Sequence, residues 1–272
     1  MKPFYSFAFR LLALLAVGCT MLPATEEARA SIFTIHPYKA NYVLPFTYDF
    51  QSHEDARKSE EALYQISILI PLGYDEVNGV ANVGLAYTQQ AFWQIYDEKD
   101  TRPFRQTAYN PELFLRFPDL EQRWQMAWLS AGYEHESNGE SLDGNSRSWN
   151  RLFLEAKRDL GDLDLGLRVW HWLEKPPKET PDDPNGEETP EIYRYYGYGE
   201  LSLGYDHGRY RAALMVRNNL NPQNNKGAFR MDVMIPMEHY DIYLQYWDGY
   251  GESSGDYNEK TRRLGLGFMF TR

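Results

Sequence analysis

The chain has 272 residues, 15% of them aromatic (21 Tyr and 7 Trp), and a formal net charge of −11. That acidic balance argues against a nucleic-acid partner. The mean hydropathy is −0.62, and no internal run approaches the ~20 apolar residues of a spanning helix, which leaves open a soluble protein or a membrane β-barrel, whose lipid-facing residues are diluted by alternation.

Residues 1–30 read as a secretory signal. Lys2 and Arg10 precede the apolar run Leu11-Leu12-Ala13-Leu14-Leu15-Ala16-Val17, and Ala28-Arg29-Ala30 offers a small-x-small cleavage site before Ser31. The single cysteine, Cys19, lies inside that segment, so the exported domain, 31–272, is expected to fold without a disulfide.

Beyond the signal, runs of about ten residues alternate apolar with polar, as in Tyr64-Gln65-Ile66-Ser67-Ile68. Strands are predicted near 62–71, 80–96, 107–117, 123–137, 147–159, 163–175, 191–205, 209–218, 227–237, 239–248 and 260–271. The connections alternate between short turns, such as Gly161-Asp162, and long segments rich in Pro, Asn, Asp and Gly, such as 176–190. Short turns on one rim and long loops on the other mark an outer-membrane barrel. Such barrels usually have an even strand count. Asn41-Tyr42-Val43-Leu44-Pro45-Phe46-Thr47-Tyr48 therefore supplies one more strand, despite Pro45. The expectation is an all-β, twelve-stranded antiparallel transmembrane β-barrel, with a soluble lipocalin-like barrel or β-sandwich as the alternative. The excess of Tyr and Trp fits interfacial girdles.

One stretch carries chemistry. Tyr133-Glu134-His135-Glu136-Ser137-Asn138-Gly139 ends one predicted strand, and Ser148-Trp149-Asn150-Arg151 begins the next. Residues i and i+2 of a strand share a face, so His135 and Ser137 stand side by side. In a hairpin, Asn150 comes up beside His135. A hydroxyl, an imidazole and a carboxamide form the constellation of nucleophile, base and orienting group. On the first strand they continue the row Ala127, Leu129, Ala131 and Tyr133; on the second, Asn150 continues Leu152 and Leu154. Both rows are apolar, so the trio is expected on the outer, lipid-facing wall. The opposite rows hold Glu134 and Glu136, then Arg151, Glu155 and Lys157, so the two glutamates are expected to pair with Arg151 or Lys157 in the lumen. The chemistry implied is acyl transfer to Ser137 followed by hydrolysis, with backbone N–H groups of the Asn138-Gly139 turn as oxyanion donors. The alternative is an inert barrel, a small pore or a structural protein, in which the trio is an exposed polar rim.

Around Gly132–Gly139 and Ser146–Arg151 the chain resembles the outer membrane phospholipase A family of Gram-negative bacteria. The resemblance extends to Tyr87-Thr88-Gln89, Pro103–Thr107 and Gly249–Ser253. It implies calcium-dependent hydrolysis of the sn-1 and sn-2 acyl esters of phospholipids and lysophospholipids, by a homodimer in the outer membrane with its active site on the outer-leaflet side. Carried over by position, Ser137 is the nucleophile, His135 the base, Asn150 the third member and Gly139 the oxyanion glycine. Calcium would take the Glu140 carbonyl, the Ser146 hydroxyl and the carbonyl of the partner subunit's Thr101. The family usually has arginine and serine at the positions of Glu140 and Thr101. Gln89 matches a glutamine of the dimer interface. Asp143, in the same loop as Glu140, is either a second calcium group or a solvated acid.

Overall fold

The computed structural model describes residues 35–51, 57–72, 82–99, 101–120, 126–140, 146–180, 183 and 186–270. The expected signal, 1–30, and the loop centre 141–145 with Asp143 lie outside the described residues.

A two-residue strand, β1 (His36–Pro37), leads into β2 (Tyr42–Asp49), β3 (Glu60–Pro71), β4 (Asn82–Trp93) and β5 (Phe104–Leu120). Next come β6 (Met126–Ser137), β7 (Ser148–Leu160), β8 (Leu163–Trp172) and β9 (Gly199–Asp206). The last four are β10 (Arg211–Asn218), β11 (Gly227–Pro236), β12 (Asp241–Tyr250) and β13 (Lys260–Met269). From β2 to β13 each strand pairs antiparallel with its neighbour in sequence, and β2 pairs with both β3 and β13. The sheet therefore closes into a barrel of twelve strands, as the parity of the connections requires.

The seam explains how Pro45 is tolerated. Register slips between Leu44 and Thr47 against β3, and between Leu266 and Phe268 against β13. Proline has no N–H to give a ladder, so it belongs at such a bulge. A Cβ on Gly267 would stand 2.1 Å from the Val43 carbonyl oxygen, so only glycine permits this approach.

The sequence expectation fails at one strand start. Residues 191–198 do not extend β9; they form a turn and a short helix, α1 (Tyr193–Tyr196). Glu191 (φ 60°) and Gly197 (φ 70°) break the extended chain on either side. Ile192 and Tyr196 are four apart and so share a face in a helical turn as well as in a strand. Both are buried over the barrel mouth, against Trp149, Trp170 and Tyr257. The Trp170 indole donates to the Gly197 carbonyl at 3.0 Å.

Strict alternation sorts the wall into two faces, as in β12 and β13. Leucines such as Leu152, Leu154, Leu167 and Leu266 point outward and are exposed. An unburied leucine forgoes about 1.5–3 kcal/mol, which acyl chains restore for a wall seated in a bilayer. Exposed rings gather at both rims, with Tyr48, Phe50, Tyr96 and Phe104 near the long loops and Tyr205, Tyr210, Tyr240 and Phe270 near the short turns. No helix among the described residues is long and apolar enough to cross a membrane; the strands do so.

The inner face is filled with charge. Arg151 grips Glu134 with two bonds of 2.5 Å. Arg168 bridges Glu134 and Glu112, each at 2.8 Å, and reaches Glu155 at 3.1 Å. Lys39, from the segment before β2, crosses to Glu112 at 2.6 Å, and Tyr38 stacks on Phe114 with ring centroids 5.5 Å apart. A second network, nearer the long loops, joins Arg263 to Glu61 at 2.9 Å and to Glu252 at 3.0 Å, with Arg105 on Glu61 at 2.5 Å. Desolvated ions are tolerable only when paired in this way. Lys157 takes no part; it pairs with Asp164 at 3.3 Å. Glu136, the other acid expected to face inward, lies 3.6 Å from Arg151.

Candidate active site

The hairpin of β6 and β7 builds the site. Its register sets His135 opposite Asn150, with Glu134 opposite Arg151 and Ser137 opposite Ser148. Because the pleat alternates, the Glu134–Arg151 ion pair points into the lumen and the next rung, His135–Asn150, points out. The luminal clamp therefore also fixes the register of the outward pair. Trp149 is almost wholly buried behind Asn150, edge-on to Tyr196 at 5.0 Å, and its indole donates to Glu136 at 3.2 Å. Asn110 of β5 donates to the His135 carbonyl at 3.0 Å, which holds the strand from its other side.

On the outer wall, His135 Nδ1 lies 2.9 Å from Asn150 Oδ1. The Tyr133 hydroxyl donates to the same oxygen. Ser137 stands two residues beyond His135 on the same face. Among the described residues, no hydrogen bond joins its Oγ to the ring in the single chain. With Asn150 Oδ1 as acceptor, Nδ1 carries the proton and Nε2 is left free to accept one. All three side chains are half-buried, flanked by exposed Tyr133 and Leu152.

Gly139 follows the strand end at φ 69°. A Cβ there would come within 2.8 Å of the Tyr109 ring, so conformation and space both demand glycine. The Asn138 side chain ties the loop shut, accepting from Arg147 N at 2.8 Å and Glu140 N at 3.3 Å.

The phospholipase A1 family model matches residues 20–270. The chain belongs to the phospholipase A1 family. The phospholipase A1 of Klebsiella pneumoniae is 33% identical over 249 residues, covering 87% of this chain and 82% of that protein. The phospholipase A1 of Escherichia coli K12 is 32% identical over 252 residues, covering 87% and 81%. Among solved structures, the Escherichia coli outer membrane phospholipase A superposes with a TM-score of 0.78 at 29% identity, covering 88% of this chain and 99% of its own. The Salmonella typhi outer membrane phospholipase, solved as a dimer with bound calcium, gives 0.77 at 30% identity, covering 88% and 93%. The protein is thus an outer-membrane β-barrel phospholipase.

The remaining residues that the phospholipase A resemblance points to fall in three places. Glu140, exposed, and Ser146, buried, stand at the two ends of the β6–β7 loop. Thr101 is exposed on the separate loop between β4 and β5. Gln89 lies on the outer wall; it pairs in register with Tyr109, which pairs with Ser137. Gln89 and Ser137 are therefore level, two strands or roughly 10 Å apart. Two residues escaped the sequence reading. Tyr133 was legible, since it is two before His135 on the same face, but it passed as one more member of the apolar row. Glu188 had no signal in its Pro- and Asp-rich stretch, yet its buried carboxylate accepts a 2.9 Å bond from the Ser146 hydroxyl.

Proposed function

We propose that Ser137, His135 and Asn150 hydrolyse the sn-1 and sn-2 acyl esters of phospholipids and lysophospholipids from the outer-leaflet side of the membrane. The observation that carries this reading is the 2.9 Å contact between His135 Nδ1 and Asn150 Oδ1 on the lipid-facing wall. Ser137 Oγ attacks the ester carbonyl while His135 Nε2 takes its proton. The C–O bond to the lysophospholipid breaks, and His135 returns the proton to the departing alkoxide. Water, deprotonated by the same nitrogen, then attacks the acyl-serine and releases a fatty acid. Asn150 keeps the imidazole in its working tautomer; being neutral, it stabilises the imidazolium less than an aspartate would. The amides at Gly139 face the developing oxyanion. A variant of the Escherichia coli relative altered at an active-site asparagine is in keeping with a role for Asn150.

Calcium fits the oxygen-rich set at this loop. The buried Ser146 hydroxyl sits on a carboxylate, and the Glu140 carbonyl belongs to an exposed turn; such oxygen donors suit a hard cation. Ser146, Glu140 and the partner subunit's Thr101 would hold it. When bound, it supplies positive charge beside the oxyanion. That the Salmonella typhi protein is a dimer with bound calcium supports the ion and a homodimer; that the dimer is the active form and that its contact runs through Gln89 rest on the family resemblance. Gln89 is level with Ser137, so a second barrel pressed there would wall a cleft for the acyl chain. The decisive experiment is Ser137→Ala assayed on phospholipid vesicles: a folded barrel without turnover is expected, and retained turnover would reject the assignment.

A further inference from the structure

The geometry points to Tyr133 as a positioning residue that sets which end of the Asn150 amide faces His135. This rests on the triad proposed above. A triad ending in aspartate presents two equivalent oxygens to its histidine, so either orientation works. An asparagine does not: one end accepts and the other donates. If the amide turns over, its NH2 group meets His135 Nδ1, and that nitrogen must then accept. The ring proton moves to Nε2, which can no longer take the Ser137 proton. Reversal of one amide therefore removes the base without removing a residue.

The rung itself does not prevent reversal. His135 and Asn150 face each other across two strands, and a neutral imidazole can satisfy either amide end by shifting its own proton. The asymmetry comes from the phenol. Tyr133 O–H donates to Asn150 Oδ1, the same oxygen that faces His135 Nδ1. With the amide reversed, the phenol oxygen could accept from Nδ2, but its proton would lose the one protein acceptor it has among the described residues, on a wall flanked by Leu152. An unmet donor in low-dielectric surroundings is disfavoured. Two donors converging on one oxygen thus select the productive amide, and with it the productive tautomer. Tyr133 is on the same strand as His135, two residues before it, so strand geometry alone delivers the phenol to this oxygen.

The test is a double-mutant cycle on the full-length protein in mixed micelles of phospholipid and detergent with calcium. Tyr133→Phe keeps the ring against lipid and deletes only the donor. Its kcat is expected to fall about tenfold with KM within about twofold, because loss of a hydrogen bond of this kind depletes the competent tautomer and not substrate binding. In the Asn150→Asp background the same change is expected to alter kcat by less than about twofold, since a carboxylate has no wrong end. Tyr133→Leu, a side chain native to this wall, gives the same pattern and serves should the phenylalanine variant misfold; heat-dependent migration of the barrel on gels reports folding. Unchanged kcat in both folded variants overturns the proposal. So does an equal loss in the Asn150 and Asn150→Asp backgrounds, which would make the phenol a packing element. Full activity of Asn150→Ala would instead reject the triad itself.

Discussion

Two hairpins of the barrel reach the long-loop rim in the same register and carry contrasting outward rungs there. In β12 and β13 the third residue from the end, Asp248, pairs with the third residue of the next strand, Arg262. In β6 and β7 the same two positions hold His135 and Asn150. Behind each rung lies an arginine held by carboxylates, Arg263 by Glu61 of β3 and Glu252 of the β12–β13 loop, and Arg151 by Glu134 directly across its own hairpin. Outside, one rung is an ion pair, with Arg262 Nε 2.8 Å from Asp248 and Lys260 joining at 3.0 Å. The other rung is neutral. A charged rung must reach water, and so anchors its wall at the interface. A neutral, mutually bonded rung can remain among ester groups and acyl chains. The comparison teaches that an arginine held by carboxylates on the inner face can stand behind quite different outward rungs, one ionic and one able to serve the proposed chemistry.

That contrast can be broken most severely at the nucleophile. Ser137→Ala is expected to lower turnover on vesicles by at least about 10³-fold, while detergent-solubilised barrel still shows its heat-dependent mobility shift. Chelation should come next: removing calcium is expected to cost about 10²-fold or more in rate, with circular dichroism unchanged, and undiminished turnover in excess chelator would sink the metal assignment. The inner face is probed by Arg151→Gln, which strands part of the Glu134 charge. A stability loss of about 3 kcal/mol in urea unfolding is expected, larger than any loss from the outer charged rung. The smallest effect belongs to Arg262→Gln, since an exposed ion pair contributes little; activity should stay within about twofold of the parent. A substantial loss there would mean that the two rungs are not functionally distinct.

Much of this was legible because period-two alternation and loop length are local signals. The twelve strands, the luminal side of Glu134 and Arg151 and the outward placement of His135, Ser137 and Asn150 follow from them directly; which base each glutamate meets does not, since Lys157 turns to Asp164. What escaped depended on distance along the chain or on ambiguous spacing. Ile192 and Tyr196 satisfy a strand and a helical turn equally, and backbone angles at Glu191 and Gly197 decide between them. Glu188 meets Ser146 across 42 positions, and Lys39 meets Glu112 across 73, encounters that no periodicity announces. Calcium ligation and the dimer contact rest on family resemblance, because backbone carbonyls and a second subunit leave no mark on side-chain pattern.

The Lys39 side chain, lodged among carboxylates inside the wall, bears on permeability. Together with Tyr38 and the guanidinium–carboxylate lattice around it, it narrows the lumen, whose remaining cavity it lines with Glu134, Arg151 and Arg168. Charged walls around so narrow a cavity disfavour bulky solutes, so more of this enzyme in an envelope is expected to add lipolytic capacity with little new passage for large molecules. Conductance of single inserted molecules should accordingly stay well below that of an open-channel barrel.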